Sequence, residues 1–292
     1  MDDHKSGNVT MVGTRLGPLR VEALGVGPPA VLWHSLFVDS TTWKRVRGSL
    51  AESHRLLLID GPSHGGSGSM TRGFSSAECA GAAADVLDHL EITEPVDWVG
   101  NAWGGHVGIL FAAAYPERCR SLIAMGTPIQ ALSTSERRRI AMLVALYRLI
   151  GPVGPLLRAV EDGLLAPQTR AGDPEAVRLV ADALRHAQRR GMWIAMRSLM
   201  LARPDLSRVL ADVSAPTLFI TGDELATWKL ADAQAAAGRM RHGSAALVPG
   251  TRHLTPLEAP TAVTALVTDF WRRVRDAGGT GDESEGKILI GT

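Results

Sequence analysis

The chain has 292 residues, 45% of them hydrophobic and 21% charged, with a formal net charge of +1. That length allows one large α/β domain or two smaller ones, either with a substantial core. The near-neutral balance excludes an electrostatic case for nucleic acid or an anionic membrane surface as partner, and no stretch is long and apolar enough to span a bilayer.

The N-terminus, Met1 to Lys5, is polar and leads into no apolar core of signal-peptide type. Cys79 and Cys119 are the only cysteines, too few for a disulfide framework and without metal-site spacing. The simplest reading is a cytoplasmic chain with reduced thiols, and no metal or cofactor is expected. The arginine runs Arg137-Arg138-Arg139 and Arg272-Arg273 sit at helical spacing and read as solvated faces.

Residues 9–12 and 19–23 predict an opening hairpin. Short apolar runs at 30–33, 56–59, 96–99 and 122–125 follow as buried strands. Between them lie helical patterns at 41–51, 76–90 and 104–115, the last ended by Pro116. Residues 128–213 hold helical segments broken at Gly151-Pro152 and at Gly172-Asp173-Pro174, with no strand pattern, and predict a helical lid or cap. Met142, Leu146, Met192, Trp193, Met196 and Met200 fall on helices there. Their first use is to pack the insertion, and a flexible apolar ligand surface is a second. Strands at 217–220 and 245–248 and helices at 230–240 and 256–275 complete the order.

Alternating strands and helices predict an α/β fold with a mostly parallel sheet. The expected division is a core at 1–127, a cap at 128–213, a second part of the core at 214–276 and a disordered tail at 277–292.

Gly100-Asn101-Ala102-Trp103-Gly104 lies between a strand and a helix. That is the context of the nucleophile elbow, written G-x-S-x-G in serine hydrolases, whose glycines let the chain turn through a strained conformation. Here the central residue is Ala102, whose methyl can neither attack a carbon nor release a proton.

Three further segments occur in the matching order. Trp33-His34-Ser35-Leu36 is similar to a His-Gly-x oxyanion loop, with Ser35 in place of glycine. Asp60-Gly61-Pro62-Ser63-His64-Gly65-Gly66-Ser67 is similar to a D-x-P-G-H-G-x-S turn, with Ser63 in place of glycine. Gly250-Thr251-Arg252-His253 precedes a proline-started helix and is similar to the loop that delivers a catalytic histidine. Over residues 9 to 275 the chain thus resembles the α/β-hydrolase superfamily in its capped branch, which includes epoxide hydrolases, lactonases and carbon–carbon bond hydrolases.

That resemblance makes His253 the general base, with His34 and His64 structural and His106 without a signal. It puts the catalytic acid at Leu225, which cannot act as one. Glu224, its neighbour, is the candidate replacement, with solvation of the turn as the competing role for it. The backbone N–H groups of Leu36 and Trp103 would form an oxyanion-hole pair, and Phe37, Met142, Leu146, Trp193 and Met196 are candidate substrate contacts. The expected partner is a small, largely apolar carbonyl compound. Three functions fit: an ester or lactone hydrolase whose nucleophile was replaced, an enzyme using His253 without an acyl-enzyme, and a binding protein that has lost the chemistry. The second is preferred.

Overall fold

A computed structural model of the chain describes residues 7–279. Successive side chains of a strand point to opposite faces, and in this chain both faces are apolar. Val31 and Trp33 of β3 (Pro29–Trp33) join one core, while Ala30 and Leu32 join another. In β4 (Arg55–Ile59), Leu57 and Ile59 join the first, and Leu56 and Leu58 the second. Strands buried on both sides require helices on both sides.

Six more strands complete the sheet: β1 (Asn8–Thr14), β2 (Gly17–Leu24), β5 (Val96–Asn101), β6 (Cys119–Met125), β7 (Thr217–Gly222) and β8 (Gly243–Val248). Their order is β1-β2-β4-β3-β5-β6-β7-β8. β2 runs antiparallel to β1 and β4, and every other pairing is parallel.

One face is covered by α1 (Arg47–Leu50) and α11 (Pro260–Gly279), through Leu50, Val263, Val267 and Trp271. The other carries α2 (Ser76–His89), α3 (Trp103–Ala114) and α9 (Leu230–Ala237). A capping box starts α2: Glu78 N–H donates to Ser75 Oγ at 3.1 Å, and Ser75 N–H donates to the Glu78 carboxylate at 2.9 Å.

Between β6 and β7 the chain is helical: α4 (Thr134–Ile150), α5 (Gly154–Leu164), α6 (Pro167–Gly172), α7 (Pro174–His186) and α8 (Arg189–Ala195), then a π-helical turn, Met196–Leu201. Gly151, at φ +75°, ends α4. Asp173 starts α7 by accepting from Ala176 N–H at 3.0 Å.

The helix expected over 230–240 ends at Ala237, and three other boundaries also differ from expectation. The helix expected over 41–51 divides into a 3-10 turn, Ser40–Trp43, and α1, because Asp39 caps the turn by accepting from Thr41 N–H at 2.9 Å. The helix expected over 256–275 divides into α10 (Thr255–Glu258) and α11, because Pro260 supplies no amide to continue the ladder. Of the tail expected from 277, the first three residues extend α11, and 280–292 lie outside the described residues.

The carboxyl ends of β3, β5 and β6 open towards one place, where loops 34–37, Ala102 and Gly126 meet. In open parallel sheets this is where ligands bind.

Candidate active site

The turn after β5 is tight because two glycines permit it. A methyl on Gly100 would overlap the carbonyl of Gly104, and one on Gly104 would overlap the carbonyl of Trp33. Ala102 between them has φ +49° and ψ −104°, a region that side-chain-bearing residues avoid. Its N–H donates to Met125 O at 2.7 Å, tying the elbow to the end of β6. Trp103 begins α3, so its amide has no acceptor within the helix.

The loop after β8 is held from two sides. His253 N–H donates to Leu164 O at 3.1 Å, at the end of α5, and Asn101 Nδ2 donates to His253 O at 2.6 Å. The imidazole is half-buried, and its Nδ1 is buried without a hydrogen-bond partner. A methyl placed on Gly126 would lie 3.5 Å from that Nδ1 and 3.6 Å from Leu225 Cδ2. Leu225 and that nitrogen thus both border Gly126. Burial lowers the His253 pKa to about 4, so the ring is neutral near pH 7.

Glu224 makes no ion pair with His253 among the described residues. Its side chain is 41% exposed and lies 3.9 Å from Arg252 Nη2, and Gly222 and Leu225 close the turn beneath it. Glu258 instead binds three segments together: its carboxylate accepts from Ala166 N–H at 2.6 Å, Thr169 Oγ1 at 3.0 Å and Arg252 N–H at 2.8 Å. Burial raises its pKa against those bonds. It anchors the His253 loop to α6 and its approach.

Ala102, Trp103, Leu36, Phe37 and His253 line one cavity of about 200 Å³. Its far wall comes from the β6–β7 segment, with Leu132, Ile140, Leu164, Leu199 and Met200 as the apolar part. Ser35, His106, Glu136, Arg139, Arg203 and Thr227 add polar groups.

Four expected substrate contacts lie elsewhere. Met142 is 70% exposed and Leu146 40% exposed. Glu136, Arg139 and Ile140 put the i, i+3, i+4 face of α4 on the cavity, and Met142, two residues past Ile140, points the opposite way. Met196 is wholly buried in the core. Trp193 lies between the guanidinium groups of Arg148 and Arg197, at 5.3 and 5.0 Å from the ring centroid.

His34 and His64 hold loops. Gly61 N–H donates to His34 Nε2 at 2.8 Å and His34 Nδ1–H donates to Ser35 O at 2.6 Å, which fixes a neutral tautomer. His64 Nδ1–H donates to Pro62 O at 2.9 Å, and burial lowers its pKa to about 3. Ser63 occupies φ +67°, which explains why glycine suits that turn, and its Oγ accepts from Met70 N–H at 2.9 Å.

The family model for the alpha/beta hydrolase family matches residues 30–266. The chain belongs to this family. It is 35% identical over 114 residues to a pimeloyl-[acyl-carrier protein] methyl ester esterase of Nitrosospira multiformis, covering 37% of this chain and 42% of that one. It is 35% identical over 151 residues to a 2-hydroxy-6-oxononadienedioate/2-hydroxy-6-oxononatrienedioate hydrolase of Burkholderia vietnamiensis, covering 48% and 51%. The chain thus spans about half or less of these curated relatives. Among solved structures it is similar to a thermophilic esterase from Thermogutta terrifontis with malate bound, at TM-score 0.84 and 25% identity, covering 91% of this chain and 99% of that one. An enol-lactonase from Burkholderia xenovorans gives TM-score 0.81 at 21% identity, covering 90% and 100%.

In this α/β-hydrolase, several cavity residues escaped sequence reasoning. His106, four residues after Ala102 on α3, is placed on the cavity by the helix that follows the elbow: its Nε2–H donates to Pro128 O at 2.8 Å, and burial lowers its pKa to about 4. Arg139 was one of three arginines read as a solvated face, and only helix rotation selects it for the cavity. Arg203 had no signal in sequence. No group of three or more histidine, cysteine, aspartate or glutamate residues able to hold a metal occurs among the described residues, and none of their helices is long and apolar enough to cross a membrane.

Proposed function

We propose that this chain acts on a small, largely apolar carbonyl compound without forming a serine acyl-enzyme. Residues 128–213 serve as a cap over a core formed by 1–127 and 214–276. The observation that carries the reading is that His253 and the alanine of a complete elbow line one cavity. The Leu36 and Trp103 amides hold the oxygen that gains negative charge, and neutral His253 takes a proton from carbon, oxygen or water. Ala102 excludes an acyl-enzyme on chemical grounds alone. Relatives named as esterases, an enol-lactonase and a hydrolase of 2-hydroxy-6-oxo dioates support a carbonyl substrate.

A second reading, a binding protein descended from an enzyme, is favoured by one observation. No carboxylate among the described residues pairs with His253 to stabilise an imidazolium, and a pKa of about 4 makes a weak base.

Native mass spectrometry after exposure to a metabolite extract separates the two, with His253→Ala run in parallel. A compound whose mass changes with the native chain and not with His253→Ala supports the enzyme. One retained unchanged by both selects the binding protein. A fluorophosphonate adduct on the elbow would overturn the non-acyl chemistry.

A further inference from the structure

Most half-buried arginines of this chain sit against carboxylates. Arg45 pairs with Asp173 at 2.5 Å and Glu175 at 2.9 Å, Arg120 with Asp97 at 2.5 Å, and Arg20 with Glu22 at 3.0 Å. Arg203 and Arg55 depart from this, and of the two only Arg203 lines the cavity. It is half-buried on the cavity wall, its Nε is buried without a partner, and no carboxylate of the described residues comes within ion-pairing distance. The one hydrogen bond of its guanidinium among the described residues runs from Nη2 to Gln130 O at 2.8 Å.

The acidic groups nearest it, Glu136 and Asp205, act on it only at longer range and make their hydrogen bonds locally. Glu136, on the same cavity, accepts from Ser133 N–H at 2.9 Å and Ser133 Oγ at 2.6 Å as the cap of α4. Asp205 accepts from Ser207 N–H at 2.8 Å. Arg139 lines the cavity one turn of α4 beyond Glu136, without an ion pair or hydrogen bond among the described residues. His106 and His253 are both neutral near pH 7, so the cavity holds two cations against one carboxylate. Burial lowers the Arg203 pKa, but an arginine stays charged. Leaving a buried guanidinium unpaired is unfavourable, and its planar fork matches a carboxylate in two parallel hydrogen bonds.

We infer that Arg203, assisted by Arg139, forms a carboxylate subsite, so that the ligand is a short oxo acid with its carboxylate at the arginines, its carbonyl at the elbow and its chain against Leu199, Met200 and Ile140. The inference rests on the carbonyl-binding reading above and names its substrate class.

Calorimetric titration of the full chain with 5-oxohexanoate and with its methyl ester tests it. The acid should bind at least tenfold more tightly than the ester. Arg203→Gln should weaken the acid by roughly ten- to a hundredfold, as loss of a charged hydrogen bond does, and spare the ester. Arg139→Gln, an exposed change with no packing role, should weaken the acid severalfold, while Arg138→Gln on the same helix should change nothing. Equal binding of acid and ester, unmoved by Arg203→Gln, overturns the subsite and leaves the cavity as a carbonyl site. Binding of neither overturns both. Should Arg203→Gln not fold, an unaltered preference for the acid in Arg139→Gln overturns the subsite by itself.

Discussion

Leu225 Cδ2 and the Nδ1 of His253 converge on the same point beside Gly126, at 3.6 and 3.5 Å from where a methyl on that glycine would stand. Position 225 and the imidazole therefore border the same glycine, and leucine offers the ring nothing to bond. Leu225→Asp should raise the His253 pKa from about 4 towards or above its ordinary value, as read from ring resonances titrated by NMR. Ala102→Ser with Leu225→Asp should then cleave p-nitrophenyl acetate roughly a hundredfold or more faster than Ala102→Ser alone, within the ~10⁴ that the triad aspartate contributes in serine proteases. Equal rates from the two folded variants would show that position 225 does not reach the ring.

The elbow holds Ala102 in a strained backbone conformation. Ala102→Gly should raise stability by about 1 kcal/mol, because a backbone at φ +49° costs a residue with a side chain and not glycine. Elsewhere the same change usually destabilises. Gly104→Ala should cost roughly 3 kcal/mol or more, since its methyl meets the Trp33 carbonyl. Thermal midpoints of both variants measure this, and a lowered midpoint for Ala102→Gly would refute stored strain at the turn.

Acid should unfold the protein through its buried histidines. His106 is held neutral, with a pKa lowered from 6.5 to about 4. The unfolded chain then binds the extra proton first, so the contribution is fully present above pH about 6.5 and is lost as pH falls towards 4. For His106, 7% exposed, the loss is of order 3 kcal/mol. His253 and His64 act in the same direction. Calorimetry at pH 7 and pH 4.5 should show a large fall in the native chain and a smaller one in a folded His106→Asn variant. Parallel falls would remove His106 from this account.

Glu258 holds the histidine loop to the helical segment that walls the cavity. Glu258→Gln keeps an uncharged acceptor for Ala166 and Thr169 and loses the acceptor for Arg252. It should cost roughly 1–3 kcal/mol, and amide exchange should speed up at 164–169 and 252–254. Unchanged exchange there would mean the loop is fixed by Leu164 and Asn101 alone.

The order of strands and helices, the elbow and its inert centre, and the histidine loop were all readable in the amino-acid order. Each depends on local rules: two-residue alternation in β3 and β4, glycine where a chain must turn tightly at Gly100 and Gly104, proline at a helix start. What lines the cavity was not readable, because it depends on how α4 is rotated. The same helix offers Met142 and Ile140, and packing turns Ile140, Arg139 and Glu136 inward while Met142 meets water. Nor could sequence distinguish Arg203, which lacks a carboxylate, from Arg45, which has two, since those partners lie far along the chain. Hydrophobic patterning and turn chemistry act between neighbours in sequence and specify the scaffold. The charge balance and shape of the pocket arise between segments that meet only once the chain has folded.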